Sequence, residues 1–337
     1  VDRGPTAEVV GPRYLLRVIT TLSARHAIVA LALASMAFSI AGCSSSGSDD
    51  TTDSSPSDAV SDATSAAPST AAATTVTAAA AATTAASATT TASKTSSAQI
   101  PLPPVAAQAD YQLGGAYTPP SGVRIVSRDS SASPVHGIYS ICYINAFQAQ
   151  PDATDWWQQQ HPSLLLHGTD GALVIDQDWS EALLDVSTDA KRAQLAAVEY
   201  GWIDSCAAKG FQAIEADNLD SYTRSDGLLT ADENAAFATL LAARAHHDGM
   251  AIAQKNTTDL LPRHGQIGFD FAVAEECGVY GECGGYAAAY ADRVLDVEYT
   301  DAGLAAACKS WSGRISIVER DLDVSAQGTD GYVYKTC

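Results

Sequence analysis

From about residue 110 to the C-terminus short apolar runs alternate with segments of helical periodicity, and that alternation constrains the fold of this chain more than any other feature. The runs are Val123 to Val126, Gly137 to Ile144, a stretch within Leu164 to Val186, Phe211 to Ile214, Met250 to Ala253, Phe269 to Ala274, Val294 to Val297 and Ile315 to Val318. Between them, Ser187, Thr188 and Asp189 offer N-caps to a segment in which Leu195, Val198, Trp202 and Cys206 share a face, and Gly210 ends it. Thr230 and Glu233 form a capping box ahead of Phe237, Leu240 and Leu241, with Gly249 as the stop. Strands and helices alternating at this spacing read as parallel α/β. The runs predict a (β/α)8 TIM barrel over residues 110–337.

In such a barrel the C-terminal strand ends converge on one face, where substrates bind. Nearly every run here ends in polar side chains: Arg128 and Asp129, Asn145, Asp185, Glu215 and Asp217, Lys255 and Asn256, Glu275 and Glu276, Glu298, then Glu319, Arg320 and Asp321. The densest stretch, Glu215-Ala216-Asp217-Asn218-Leu219-Asp220, sets three carboxylates directly after an apolar run. Glycoside hydrolysis needs two carboxyl groups flanking the scissile bond, one to protonate the leaving oxygen and one to act as nucleophile or base. Asp217 at the end of strand four and Glu275 at the end of strand six can face each other across that gap. A carboxylate nearby raises the proton affinity of its neighbour, which suits a general acid working near neutral pH.

The residues before the barrel carry a different message. Arg13, Arg17, Arg25 and His26 precede an uncharged apolar stretch from Ala27 to Ile40, followed by Ala41-Gly42-Cys43. A positive region, a short apolar region and small residues before the cut describe a secretory signal, too short to span a bilayer as a helix. The Ile-Ala-Gly-Cys ending resembles a bacterial lipobox, so residues 1–42 are expected to be a lipoprotein signal peptide with lipidation at Cys43. Residues 43–109 are rich in Ser, Thr, Ala and Pro and poor in large apolar side chains, which predicts a disordered tether with a reach of roughly 45 Å. The chain is therefore expected to be extracytoplasmic, anchored to a membrane through its N-terminal lipid or secreted.

Six cysteines remain after Cys43: Cys142, Cys206, Cys277, Cys283, Cys308 and Cys337. An even number in an exported chain suggests disulfides, although sequence alone does not fix their connectivity. The short interval favours Cys277 with Cys283; Cys308 with Cys337 and Cys142 with Cys206 are the pairs that then remain to be preferred. No C-x-x-C occurs, so a metal site is not expected, nor any cofactor. A formal net charge of −20 argues against nucleic acid as a partner and favours a cationic ligand.

Several ordered motifs resemble glycoside hydrolase family 114, the TIM-barrel group that includes endo-α-1,4-polygalactosaminidases. They are Cys142-Tyr143-Ile144, Gly210-Phe211 leading to Glu215 through Asp220, Ala245-His246 before Gly249, Lys255-Asn256, Glu275-Glu276-Cys277 through Glu282-Cys283, and Val297-Glu298-Tyr299. The resemblance covers most of residues 110–337 and places the family's carboxylate pair on Asp217 and Glu275. It implies substrate contacts from Glu215, Asn218, Lys255 and Asn256; Asp185, Glu298 and Tyr222 are further candidates from their positions. The sequence departs from the family at Ala216, where Pro is usual, and at Ala274, where Asn is usual.

The implied partner is an amino-sugar polysaccharide, cationic where it is not acetylated, cut by a chain expected to be a monomer. Trp156, Trp157, Trp179 and Tyr222 are candidates for stacking on sugar rings, against an equal expectation that they pack the barrel. His246 reads as a packing or capping residue, and Arg320 with Asp321 as either a cleft pair or a structural ion pair. Two other readings compete: a metal-dependent barrel enzyme using Glu215 and Asp217, and a non-catalytic glycan-binding surface lipoprotein. The first is weakened by Lys255, a cation at the next strand end.

Overall fold

The computed structural model describes residues 100–337. The signal segment, Cys43 and the tether as far as residue 99 lie outside the described residues. Eight parallel strands follow one another around a barrel: β1 (Ala109–Gln112), β2 (Ile125–Asp129), β3 (Tyr139–Asn145), β4 (Ala213–Asp217), β5 (Ala251–Lys255), β6 (Phe271–Glu275), β7 (Val294–Glu298) and β8 (Ser316–Arg320). β8 returns beside β1, where the Ala107 N–H donates to Ser316 Oγ at 3.1 Å and buried Arg320 pairs with Asp110 at 3.4 Å. A final two-residue strand, Tyr334–Lys335, runs antiparallel along β8.

Period-two alternation sorts each strand into two faces. Tyr111, Ile125, Ile141, Ala213, Ala253, Phe271, Val273, Leu295, Val297 and Val318 form one buried cluster, the barrel interior. Their sequence neighbours, among them Cys142, Ile214, Ile252, Ala272 and Ile317, belong to a second cluster shared with the surrounding helices. The small alanines of β4 and β5 leave room for Phe271 and Tyr111 within the first cluster, whose burial contributes about 2–3 kcal/mol for each large ring.

Two expectations shift. The run placed within Leu164 to Val186 is not a barrel strand; it supplies Ile175–Asp176 and Glu181–Leu183, which form a small antiparallel sheet with Gln148–Ala149. The eighth strand is instead Ala109–Gln112, and the proposed tether boundary at residue 109 falls inside it. Pro101, Pro103 and Pro104 continue the tether's composition up to this strand, yet Tyr139 donates to the Pro101 carbonyl at 2.9 Å and Ala107 packs into the barrel interior. The first two connections, β1 to β2 and β2 to β3, carry no helix.

The remaining connections do. Helix α1 (Thr154–Gln160) and α2 (Asp189–Lys209) lie between β3 and β4, and α3 (Ala231–His247) between β4 and β5. Then come α4 (His264–Ile267), α5 (Cys277–Tyr280), α6 (Cys283–Ala289) and α7 (Asp301–Trp311). Thr188 caps α2 through the Lys191 N–H, and Gly210 ends it at φ 93°, a left-handed value glycine adopts at little cost. Thr230 and Glu233 close the expected capping box on α3. No described helix is long and apolar enough to cross a membrane.

The disulfides are Cys142–Cys206, Cys277–Cys283 and Cys308–Cys337; the short interval favoured the second, and the other two are the pairs preferred for the remaining cysteines. By chain entropy the two longer loops each contribute roughly 4 kcal/mol.

One buried group works against stability. Glu199 on α2 is fully buried, and neither carboxylate oxygen has a hydrogen-bond partner. Burial alone pushes its carboxyl well above the usual range, so the folded chain holds a proton there that the unfolded chain releases. The folded state therefore binds more protons than the unfolded one once pH exceeds the ordinary glutamate range, and stability falls as pH rises. Glu199→Gln is expected to raise the melting temperature at pH 7 by a few degrees, roughly 2–4 °C per kcal/mol gained. The gain should shrink near pH 4, which thermal scans at both pH values would show.

Candidate active site

The inward positions at the C-terminal ends of the strands converge on Lys255. Its side chain ends β5 only 2% exposed, and Nζ lies 3.0 Å from Asp217 Oδ1, 3.2 Å from Glu215 Oε1 and 3.5 Å from Glu275 Oε2. Alternation explains the meeting. Glu215 and Asp217 are two apart on β4, so both follow Ala213 inward, as Lys255 follows Ala253 and Glu275 follows Val273.

Burial disfavours the Lys255 ammonium, but Asp217, Glu275, Tyr111 and Glu215 outweigh it and push its pKa well above the ordinary value. It is a fixed cation. Burial likewise opposes ionisation of Asp217, but Lys255, Tyr143 and the Asn218 N–H hold its carboxyl below the usual range. Glu215, completely buried, comes out raised because desolvation exceeds the help from Lys255, Ser127 and Tyr111. One ammonium does not balance three carboxylates. Proton donors supply the rest: Tyr143 to Asp217 Oδ2 at 2.7 Å, Ser127 to Glu215 Oε2 at 2.6 Å, Tyr111 to Glu215 Oε1, and Tyr299 to Glu275 Oε1. Burial first, and neighbouring carboxylates next, keep the hydroxyls of Tyr111, Tyr143 and Tyr299 protonated and therefore donating.

The residues after the strand ends hold the carboxylates in place. Asn218 and Asn256 follow β4 and β5 at φ 63° and 47°, left-handed values that asparagine tolerates better than most side chains. From there the Asn218 N–H donates to Asp217 Oδ1 at 2.7 Å, while Asn256 Nδ2 donates to Glu275 Oε2 at 2.9 Å and its Oδ1 accepts from the Glu275 N–H at 2.8 Å. Glu276 after β6 also sits at φ 57°, where a non-glycine residue carries about 1–2 kcal/mol of strain.

Glu215, Asp217, Asn218, Lys255, Asn256 and Glu275 are therefore brought together. Three other candidates are not. Glu298 follows Val294 and Asp296 on the outer face of β7; its Oε1 accepts the Gly278 N–H at 2.7 Å, and its Oε2 fills the space a Cβ on Gly303 would need. It anchors α5 behind the barrel wall. Asp185 leads into α2, where it accepts from Ser187 and pairs with Lys191, so it secures a helix entry. Tyr222 donates to Asp259 Oδ2 at 2.6 Å and ties the loops after β4 and β5 together.

Trp157 is buried and meets Trp202 edge-to-face at 6.0 Å, whereas Trp156 and Trp179 are exposed. A cavity of about 310 Å³ is lined by Trp156, Asn145 and Gln148 among others. His246 bonds Asp270 at 2.8 Å at the end of α3, the packing role expected of it. Fully buried Arg320 is structural, bonding the carbonyls of Ser325 and Val333 at 2.7 Å and facing Asp110.

Tyr111, Ser127, Tyr143 and Tyr299 escaped the sequence reading, as did Glu181. Alternation selects the first four, since each continues the inward series of its strand. Glu181 had no such signal: it enters from the small sheet, and its Oε2 accepts from Asn145 Nδ2 at 2.9 Å and Asn218 Nδ2 at 3.2 Å. As for metal ligands, the described His, Cys, Asp and Glu groups that approach one another closely enough are Cys277, Cys283 and Asp296, and those sulfurs are joined as a disulfide.

The fold is shared with Ega3 of Aspergillus fumigatus, solved in complex with galactosamine: 24% identity, a TM-score of 0.56, and coverage of 69% of this chain and 97% of that one. The glycoside hydrolase domain of PelA from Pseudomonas aeruginosa aligns at 14% identity and a TM-score of 0.48, covering 68% and 99% of the two chains. No curated protein sequence matches. The model of glycoside-hydrolase family GH114 matches residues 87–337, a span that contains every residue around Lys255, and the chain accordingly belongs to that family and is a glycosidase.

Proposed function

We propose that this glycosidase cleaves an α-1,4-linked, galactosamine-containing polysaccharide, with Asp217 as nucleophile and Glu275 as acid/base. The observation that carries the reading is the Lys255 ammonium lying between the two carboxylates at 3.0 and 3.5 Å. With Asp217 as nucleophile the reaction runs through two successive inversions at the anomeric carbon and so retains its configuration.

Asp217, held ionised, attacks the anomeric carbon while Glu275 gives its proton to the departing glycosidic oxygen. Water then enters, Glu275 takes its proton, and the ester bond to Asp217 breaks. Galactosamine in the Ega3 complex and the excess of carboxylate over ammonium around Lys255 both support a cationic sugar. Export and lipidation at Cys43 belong to the same proposal, supported by the leader sequence and by disulfides that persist in oxidising compartments.

Incubating the full chain with an α-1,4-galactosamine polymer is expected to generate new reducing ends, first released as the α-anomer by NMR, with no loss of rate in EDTA. Binding to the polymer without new reducing ends would favour the glycan-binding reading instead.

A further inference from the structure

We propose that Glu181 receives the ammonium group of the galactosamine unit held beside Asp217, and so sets a preference for free amine over N-acetylated substrate. The inference rests on the galactosamine reading above and adds the residue that recognises the nitrogen.

Three observations carry it. First, Glu181 is only 8% exposed, and while Oε2 accepts from Asn145 and Asn218, no described group donates to Oε1. That oxygen is not among the sealed unpartnered atoms of the interior, so it keeps contact with solvent. Second, the other acids that line the centre, Glu276 apart, have cations. Lys255 serves Glu215, Asp217 and Glu275, and Arg224 serves Asp176 and Asp220 at 2.8 Å each. Glu181 forms no ion pair among the described residues. Burial, with Asp217 and Asp176 adding to it against the two asparagine amides, raises its carboxyl to about 7, the state of an acid that lacks a counter-charge.

Third, the position suits the chemistry of the sugar. Asn218 donates through its backbone to Asp217 and through its side chain to Glu181, so one residue separates the two carboxylates. In a 2-amino sugar the nitrogen sits on the carbon next to the anomeric centre. A unit presenting that centre to Asp217 brings its nitrogen to the neighbouring side chain. An ammonium there forms a charge-assisted hydrogen bond to Oε1, whereas an acetamide loses the charge and adds bulk.

The test compares wild type with Glu181→Gln, measuring kcat/KM on fully deacetylated and fully N-acetylated α-1,4 polymers, and binding of galactosamine and N-acetylgalactosamine by calorimetry. The variant is expected to lose about tenfold or more on the deacetylated polymer and to keep or improve the acetylated rate, so the ratio collapses. Equal losses on both would overturn the inference, leaving Glu181 as a brace for Asn145 and Asn218. If the glutamine variant melts well below wild type, Glu181→Asp, which keeps the charge, must retain the preference. A wild-type chain that selects galactosamine in binding yet cuts neither polymer would refute the hydrolysis but not this role.

Discussion

Asp217→Asn lowers turnover of the galactosamine polymer by about 10³-fold or more while leaving the fold in place. The amide keeps the carboxylate's shape, and its single oxygen still accepts from either Tyr143 or the Asn218 N–H, but it cannot form the ester. Glu275→Gln is expected to cost as much on the polymer and to fail differently. With an aryl glycoside whose leaving group needs no proton, Glu275→Gln retains the first step and accumulates glycosyl-enzyme, whereas Asp217→Asn shows no burst. Rapid-quench kinetics with mass spectrometry separates the two. Undiminished activity in either variant would remove that residue from the mechanism.

Lys255→Met has the second large effect, on stability as well as rate. It removes the one ammonium shared by Glu215, Asp217 and Glu275, and uncompensated buried charge typically costs roughly 3–5 kcal/mol. In the native chain the depressed Asp217 carboxyl contributes stability above the unfolded aspartate pKa and loses it as pH falls. Without Lys255 burial dominates and the sign reverses: the folded state retains a proton, and stability falls as pH rises. Denaturant titrations should find the variant's deficit larger at pH 8 than at pH 5, with the acid limb of any residual activity moved to higher pH. A deficit independent of pH would show that Lys255 acts through packing alone.

How far the sequence disclosed this arrangement depends on the period of each signal. β4, β5 and β6 end in an apolar run followed by charge, and there the strand ends picked out Glu215, Asp217, Lys255 and Glu275, which period-two alternation sets on one face. The same rule applied at β7 chooses Tyr299 over Glu298, because Leu295 and Val297 already mark the inward positions. β1 was hidden by its length of four residues and by the prolines before it. Glu181 was hidden for a deeper reason: its place depends on the path of the connection between β3 and β4, which no local period encodes. Asp185, close by in sequence, shows the converse, since a polar residue at the end of an apolar run was there to begin a helix.

That connection has one further property. The Cys142–Cys206 bridge ties β3 to the last turns of α2 across a separation of 64, so the whole excursion bearing Trp156 and Glu181 is a covalent ring hung on the barrel. A peptide-bond cut anywhere inside it leaves a single molecule, with the strands on either side still joined. Insertions there are inexpensive too, since doubling the length of a loop adds only about 0.6 kcal/mol of closure entropy. A lineage can therefore rewrite the wall around its substrate in this ring while the staves that carry Asp217, Lys255 and Glu275 stay as they are.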